Sequence, residues 1–265
     1  RVYSGATTGL DGVLIEVEVD VADRGFPTFT IVGLPAKSVD EAKDRVRTAI
    51  HNTSFQMPDS RLTVNLAPAD IPKEGSALDL PIAVGILASC GFIEKDALQD
   101  SLFIGELSLK GSIRSVSGAI SIAMMAKEKG LRNLFVPSEN VQEALLIDGV
   151  IVYAVSTLAD LILHFNKQVK LAPQRRKPFH TLSSAADHNF SEIKGQHMAK
   201  RALQIAAAGF HNIHLKGPPG AGKTMLSRAF VSILPSLSKD EVLEITKIHS
   251  VAGLIQKNKL MYTRP

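Results

Sequence analysis

The sequence predicts an α/β protein of two domains, and three observations support this fold class. Short alternating apolar stretches and helical repeats follow one another up to about residue 166. A stretch rich in cations, without any acidic residue, covers residues 167–184. A glycine-rich loop then lies between a strand-like and a helix-like segment. We therefore predict a mixed α/β domain over residues 1–166, an exposed basic linker over 167–188, and a second, truncated domain over 189–265.

Composition narrows the class of protein. The 265 residues are 45% hydrophobic but only 5% aromatic, and Trp is absent, so the cores should be aliphatic. A formal charge of +4 is compatible with nucleic acid but is a weak signal. The single Cys90 excludes an internal disulfide and, within its apolar run, predicts a buried thiol in a reducing cytoplasm. No apolar run has transmembrane length and no leader pattern occurs, which predicts no membrane partner; the start at Arg1 indicates a trimmed sequence.

The N-terminal region opens with strand patterns and one helix. Residues 15–21 alternate apolar and acidic side chains, which predicts a strand with one buried face, and residues 29–32 are its predicted partner. Residues 38–41, Ser-Val-Asp-Glu, form a capping box ahead of a helix that continues to Ile50. We expect Arg45 and Arg47 on the solvated face of this helix.

The same alternation continues to the end of the first domain. Its predicted elements are a strand over 62–66, a proline-containing loop over 67–75, an apolar helix around Cys90, a strand-like stretch over 102–109, a helix over 117–129 ended by Gly130, a strand over 134–136, a helix capped by Ser138, a strand over 150–155, and a helix opened by Thr157.

The second domain is predicted from helical repeats around one strand. A helix over 197–208 precedes a short buried strand over 212–216, and a further capping box over 238–241 opens a helix to Ile248. His211 and His214 would lie on opposite faces of the strand, so we expect them to share no metal ion.

The segment Gly-Pro-Pro-Gly-Ala-Gly-Lys-Thr at 217–224 fits the phosphate-binding pattern G-x-x-x-x-G-K-[ST]. Glycines let backbone amides approach phosphate oxygens, and the N-terminus of the following helix adds positive potential. Lys223 would contact the β- and γ-phosphates, and Thr224 would ligate the Mg²⁺ that the nucleotide brings. The predicted nucleoside triphosphate site comprises Gly217, Pro218, Pro219, Gly220, Ala221, Gly222, Lys223 and Thr224.

Hydrolysis also needs a second carboxylate for Mg²⁺ and a group that orients water. No apolar strand ending in paired acidic residues follows the loop in this sequence. We therefore expect nucleotide binding here, and no complete catalytic set within these residues.

Residues 190–265 resemble the start of an AAA+ module of the magnesium-chelatase-subunit type. The resemblance rests on Ile-Lys-Gly-Gln at 193–196, Ala-Lys-Arg-Ala-Leu at 199–203, the loop at 217–224, and Ile-His-Ser-Val-Ala-Gly-Leu at 248–254. It implies that the nucleotide is ATP, that the intact protein is an ATPase, and that Gly195 and Gln196 lie near the adenine.

The first domain resembles that of the YifB/ComM family of magnesium-chelatase-like proteins. Leu-Ala-Pro-Ala-Asp at 66–70, Lys-Glu-Gly-Ser at 73–76 and Asp-Leu-Pro at 79–81 carry this resemblance. It implies a homo-oligomeric ring, expected to be a hexamer, and an ATP-driven action on DNA such as branch migration during recombination of incoming DNA. The loop around Lys73 is a candidate DNA contact, as are Arg175, Arg176 and Lys177, although a solvated hinge also explains the linker cations.

The first domain is in turn similar to the proteolytic domain of Lon, a Ser–Lys peptidase. Pro-Lys-Glu-Gly-Ser at 72–76 fits the Lon pattern, but the position of the nucleophilic serine holds Ala77. Counting from the Gly-Glu segment at 105–111, the position of the lysine base holds Ile120. A hydroxyl nucleophile needs a base within hydrogen-bond reach. We therefore predict a Lon-like fold without proteolytic activity.

Three alternatives remain open. Ser76 and Lys73 could form a shifted dyad, which a serine-directed phosphonate probe would detect. The ATPase subunit of a metal chelatase that inserts Mg²⁺ into a porphyrin explains the second domain equally well, although such subunits lack the leading Lon-like domain. A Lon-type peptidase is disfavoured by Ala77 and Ile120. DNA-stimulated ATPase activity, dependence on chelatase partners and casein cleavage would distinguish, respectively, the DNA-remodelling motor, the chelatase subunit and the peptidase.

Overall fold

A computed structural model of the chain describes residues 1–22, 26–53, 55, 57–58, 60–175, 189–235 and 237–255. The chain divides into two compact units: the first comprises residues 1–177 and 247–260, and the second comprises residues 178–246 and 261–265. Residues 247–260 thus group with the first unit, whereas the division into domains at 166 and 189 stays a prediction from the sequence. No helix among the described residues is long and apolar enough to span a membrane.

A mixed, mostly parallel sheet forms the centre of the first unit, which confirms the predicted α/β class. Its strands are β1 (Val2–Thr8), β2 (Asp11–Val21), β3 (Thr28–Val32), β4 (Arg61–Ala67), β5 (Ser101–Phe103), β8 (Asn133–Pro137) and β9 (Ile151–Val155); β6 (Glu106–Leu107) and β7 (Ile113–Arg114) form a separate ribbon. The strand order is β3-β4-β2-β1-β5-β8-β9, in which β2 is antiparallel to β1 and β4 and the other neighbours are parallel.

The helices of the first unit are α1 (Lys37–Asp40), α2 (Ala42–His51), α3 (Asp79–Ser89), α4 (Ala119–Glu128), α5 (Val141–Ala144) and α6 (Leu158–Phe165). Every residue of α3 from Asp79 to Ala88 is buried, as its continuous apolar sequence predicts. α4 packs so closely on β2 that a Cβ on Gly12 would lie 2.4 Å from the Ser121 carbonyl oxygen. Buried helices of this unit therefore pack against both faces of the sheet.

Several predicted details of the first unit are confirmed. The apolar side of residues 15–21 faces the core, where Ile15 and Val17 are fully buried. The Thr157 hydroxyl accepts a hydrogen bond from the Asp160 amide at 3.1 Å and so caps α6. Gly130 has a φ of +76° just beyond α4, the conformation in which glycine ends a helix without steric cost.

Two predicted caps are wrong because tertiary contacts compete for their hydroxyls. Ser38 lies inside α1, whose N-cap is Ala36, and its Oγ accepts a hydrogen bond from the Gly75 amide at 3.2 Å. Ser138 does not cap α5, since its Oγ is hydrogen-bonded to the Ser156 hydroxyl at 3.0 Å. The strand predicted over 102–109 is also wrong as one element, because it forms β5 and β6.

A buried ion pair joins α2 to α3. Arg45 Nε lies 2.7 Å from Asp79 Oδ2 and its Nη2 lies 2.9 Å from Oδ1, while the Leu107 amide donates to Oδ2 at 3.1 Å. Burial raises the pKa of the Asp79 carboxyl, and the hydrogen bond with Asp79 raises the pKa of the Arg45 guanidinium. The solvated position expected for Arg45 is therefore wrong, whereas Arg47 is exposed as predicted.

A second buried carboxylate organises the start of α4. Glu143 is 4% exposed, and its side chain accepts hydrogen bonds from the Ile120 amide at 3.0 Å, Asn140 Nδ2 at 3.1 Å and the Ser250 hydroxyl. Burial raises its pKa, and these donors oppose that shift. The Gly118 amide also donates to the Ser250 carbonyl at 3.1 Å. Backbone donors at the N-terminus of α4 are thus satisfied by groups distant in sequence.

The first residues of the predicted linker lie along the outer edge of β9. The Leu171 amide donates to His164 Nδ1 at 3.1 Å, Pro173 forms a β-bridge with Tyr153, and the Gln174 amide donates to the Val152 carbonyl at 2.7 Å. We call residues 171–174 the edge strap. Arg176 and Lys177 lie outside the described residues.

The second unit is built from helices around a small core. α7 (His197–Gly209) and α8 (Lys223–Phe230) confirm the predicted helices, and α9 (Lys239–Val251) begins in this unit. The buried core residues are Phe190, Ile193, Leu203, Leu226 and Ala229.

Of two local predictions for the second unit, the capping box before α9 and the strand over 212–216, the first is confirmed and the second is wrong. The capping box before α9 is confirmed: the Ser238 amide donates to Glu241 Oε2 at 2.7 Å, and the Glu241 amide donates to Ser238 Oγ at 3.3 Å. The buried strand predicted over 212–216 is wrong. These residues form no strand, and Ile213 is 37% exposed, because the described part of this unit supplies no neighbouring strand with which it could pair.

Candidate nucleotide-binding site

The glycine-rich loop at 217–222 leads directly into α8. Gly220 and Gly222 both have a φ of +79°, which glycine adopts without steric cost, and Gly222 is the N-cap of the helix. The first α-helical hydrogen bond of α8 runs from the Leu226 amide to the Gly222 carbonyl at 2.9 Å. The amides that precede Leu226 at the start of the helix have no acceptor within it, so this terminus fits an anionic group such as a phosphate.

Lys223 and Thr224 stand at the mouth of this loop. The ammonium group of Lys223 donates to the Gly217 carbonyl at 2.8 Å and to the Pro218 carbonyl at 2.7 Å. Thr224 is exposed, so its hydroxyl is accessible to a cation. The residue types and their placement fit a triphosphate with Mg²⁺, and Lys223 would exchange carbonyl partners for phosphate oxygens when such a ligand binds.

Gly195 and Gln196 precede α7 and come close to the phosphate-binding loop. Their φ angles are +67° and +54°. The Gln196 side chain reaches the loop, where its Nε2 donates to the Ala221 carbonyl at 3.3 Å. The family resemblance implies that both segments serve one ligand, which stays a prediction, and the fold brings Gln196 and Ala221 together across 25 positions of the chain.

A recess of about 540 Å³ adjoins the start of α8. Its wall includes Lys223 and Thr224 together with the stretch from His211 to Leu215. His211 and His214 are both exposed. Among the described residues, no group of three His, Cys, Asp or Glu side chains could hold a metal ion.

Among the described residues of the first unit, the candidates for a Ser–Lys dyad do not come together. Ile120, at the position of the Lon lysine, is fully buried and apolar. The Ser76 hydroxyl donates to Glu106, whereas the ammonium group of Lys73 donates to the carbonyls of Gly33, at 2.9 Å, and Pro68. Burial lowers the pKa of Lys73. The two groups of the alternative shifted dyad thus have different partners. The amine of Lys73 is hydrogen-bonded to backbone carbonyls and does not serve as a base for Ser76.

The contact with DNA predicted for the loop around Lys73 stays a prediction, but Lys73 itself is badly placed for it. This side chain is fully buried, and a phosphate backbone could reach it only if the surrounding loop unfolded. Arg175 is exposed, whereas Arg176 and Lys177 lie outside the described residues. The burial of Lys73 could not be predicted from the sequence, because its partners are backbone carbonyls, which every residue type carries.

Comparison with known proteins gives two family matches. Residues 17–140 match a family model described as subunit ChlI of Mg-chelatase, and residues 189–265 match one described as magnesium chelatase, subunit ChlI. The second match includes Gly195, Gln196 and the whole phosphate-binding loop.

Three relatives illustrate the similarity. The chain is 43% identical to competence protein ComM of Haemophilus influenzae over 96% of this chain and 50% of ComM. It is 41% identical to the protein YifB of Escherichia coli over 100% of this chain and 51% of YifB. It is 28% identical to Lon protease 2 of Bacillus subtilis over 64% of this chain and 32% of that protease. The chain therefore spans about half the length of ComM and YifB.

Proposed function

This chain belongs to the magnesium-chelatase-like family that includes ComM and YifB, and from that premise we propose that it supplies the ATP-binding loop of a ring-forming, DNA-remodelling motor. The observation that carries the proposal is the glycine-rich loop at the N-terminus of α8, with Gly220 and Gly222 in left-handed conformations and Lys223 and Thr224 at its mouth. Geometry and residue type agree there on one class of ligand, a nucleoside triphosphate with Mg²⁺.

The residues of the loop divide the work of binding. The amides from Gly220 to Thr224 would surround the phosphates, Lys223 would contact the β- and γ-phosphates, and the Thr224 hydroxyl would ligate Mg²⁺. The turn at Gly195 and Gln196 would border the adenine. Hydrolysis needs a second carboxylate and a group that orients water, and the proposal assigns both to the part of the protein that this chain does not cover.

DNA is the proposed substrate of the motor, and ATP-driven branch migration during recombination of incoming DNA is the proposed action. The similarity to a protein named for competence supports this choice, and the net charge of +4 is compatible with it. Exposed Arg175 is the candidate contact that the structure describes. We propose a homo-oligomeric ring, of six copies, in the cytoplasm as the working form.

The test is the ATPase rate of the intact protein with and without branched DNA. We expect stimulation by DNA, and we expect the activity to vanish in Lys223→Ala because the triphosphate loses its cation. Lys216→Ala is the matched control, since this exposed lysine lies one residue before the loop and should leave the rate unchanged. ATPase activity that does not change when DNA is added would contradict the proposed DNA motor, but it would still support the proposed nucleotide site.

A second candidate is the ATPase subunit of a metal chelatase, which both family descriptions favour. In that case the ATPase rate would depend on partner subunits and a porphyrin, and DNA would have no effect. The similarity of the first region to a Lon protease argues against this candidate. Reconstitution with chelatase partners, measured by insertion of Mg²⁺, separates the two.

A Lon-type peptidase is the least supported candidate. Ala77 and Ile120 occupy the dyad positions, and Ser76 pairs with Glu106 instead of a lysine. We expect no cleavage of casein and no labelling of Ser76 by a serine-directed phosphonate.

A further inference from the structure

Gln196 has a backbone conformation that its residue type does not favour. It follows Gly195, and both residues are in the left-handed region, with φ of +67° and +54°. Glycine adopts this conformation freely, whereas a residue with a Cβ meets its own carbonyl oxygen. Such a conformation persists only where the surrounding structure imposes it, and it tends to mark a functional position.

The side chain of Gln196 does not serve the helix that it precedes. Gln196 is the N-cap of α7, yet its side chain makes no capping hydrogen bond, and glutamine is not among the favoured N-cap residues. Instead, Nε2 donates to the carbonyl oxygen of Ala221 at 3.3 Å. The strained residue therefore directs its amide group at the phosphate-binding loop.

The Ala221 carbonyl and the Gly222 N–H belong to one peptide plane. This bond is trans, so its C=O and N–H point in opposite directions. A donor that fixes the carbonyl on one side thereby fixes the direction of the N–H on the other. Gly222 has no side chain and a φ of +79°, so its peptide has little else to restrain it.

We propose that Gln196 is a positioning residue that orients the Gly222 amide toward the triphosphate. This inference rests on the proposed nucleotide site and adds a role distinct from that of bordering the adenine. Gln196 acts through the peptide plane that it holds, and it need not touch the ligand.

The turn that carries Gln196 is held against the same helix that the loop begins. Ile193 is buried with Leu226 and Ala229 of α8, and the Phe190 amide donates to the Ser232 hydroxyl at 3.0 Å. On the other side of the turn, the Lys200 amide donates to the Gln196 carbonyl at 2.9 Å. These contacts hold the turn next to the loop and keep Gln196 within hydrogen-bond reach of Ala221.

The test compares two ligands, MgATP and magnesium tripolyphosphate, by titration calorimetry on the intact protein. Gln196→Gly relieves the backbone and removes the donor, and Gln196→Asn tolerates the left-handed conformation but is one methylene too short. Both variants should weaken both ligands by the same factor, about two- to tenfold, as expected for one neutral hydrogen bond. Gln204→Ala is the matched control, because it removes an exposed glutamine of α7 and should change neither affinity.

Hydrogen exchange at the amides of α7 separates positioning from a structural role. Protection should stay equal or increase in Gln196→Gly, since glycine suits this conformation. A loss of protection with unchanged affinities for both ligands would overturn the inference. A loss of affinity for MgATP alone would overturn it as well, because that is the result expected of an adenine contact. If wild-type protein and Lys223→Ala both bind neither ligand, the proposed nucleotide site itself fails, and the inference fails with it.

Discussion

The two units of this chain use their polar groups in opposite ways. In the first unit, Lys73, Asp79 and Glu143 are all buried and each is bound by groups of the same unit. In the second unit, Thr224 and Gln196 are exposed, and Lys223, the first residue of α8, donates to two carbonyls of the loop. In the described part of the second unit, the core cluster beside the loop comprises five buried apolar residues. These three charged side chains of the first unit therefore help to maintain its fold, whereas the polar side chains at the loop of the second unit are placed where a ligand could reach them.

This difference has a consequence for the interpretation of mutations. A buried charge that loses its partner raises the free energy of the folded state, so substitutions in the first unit should reduce stability. Exposed groups at the loop contribute little to stability, so their substitution should reduce ligand affinity. The chemistry of a residue type alone does not separate these outcomes, because both units carry lysines that match family motifs.

The largest effect on stability is expected for Asp79→Ala in the first unit. The substitution removes the carboxylate that pairs with the guanidinium of Arg45, which keeps only the Ser38 carbonyl among the acceptors described, and it leaves the amide of Leu107 without its acceptor. Breaking a buried pair in this way costs about 3–5 kcal/mol. Native-state hydrogen exchange at the amides of α3 would measure the loss. Glu16→Ala is the control, because Glu16 belongs to an ion pair with Arg1, whose side chain is 64% exposed, and such pairs contribute about 0–1 kcal/mol. Equal losses of stability in the two variants would contradict the distinction between buried and exposed charges.

The next effect is expected in the core of the second unit. Leu226→Ala removes a buried side chain from α8 and should cost about 2–5 kcal/mol, since the cavity collapses only in part. Exchange at the amides of α7 and α8 is the measurement. Met225→Ala, next in sequence and 43% exposed, should stay within about 0.5 kcal/mol. If both changes have the same small effect, the five residues do not act as a packed core.

The smallest effect is a pH dependence of the edge strap. Burial, together with the nearby Lys170, lowers the pKa of His164, whose neutral Nδ1 accepts the Leu171 amide. Because the folded pKa lies below the unfolded value of about 6.5, this contribution to stability is present above that value and is lost as the pH falls through the folded pKa. Exchange of the Leu171 and Gln174 amides, corrected for intrinsic rates, should therefore accelerate in acid. His164→Phe should remove the dependence, and its persistence there would assign the effect to another group.

The sequence allowed prediction of features that depend on local pattern or on a short motif. The loop at 217–224, the helix caps at Thr157 and Ser238, and the α/β class all follow from residues close together in the chain. Arg45 could not be assigned to Asp79 in this way, because 34 residues separate them and only the packing of α2 on α3 brings them together. The prediction of a strand at 212–216 was wrong for a related reason, since an apolar segment becomes a strand only when a neighbouring strand pairs with it.

The edge strap also sets a limit on the growth of the sheet. β9 is the last strand in the order, and an open strand edge is a template onto which another chain can pair. Pro173 opposite Tyr153 has no amide hydrogen to offer a further strand, and the Gln174 amide already binds Val152. The strap therefore protects a strand whose Ile151 is 43% exposed against edge-to-edge aggregation. Solubility of the first unit thus depends in part on the backbone of residues 171–174, while the side chain of Leu171 packs against its core.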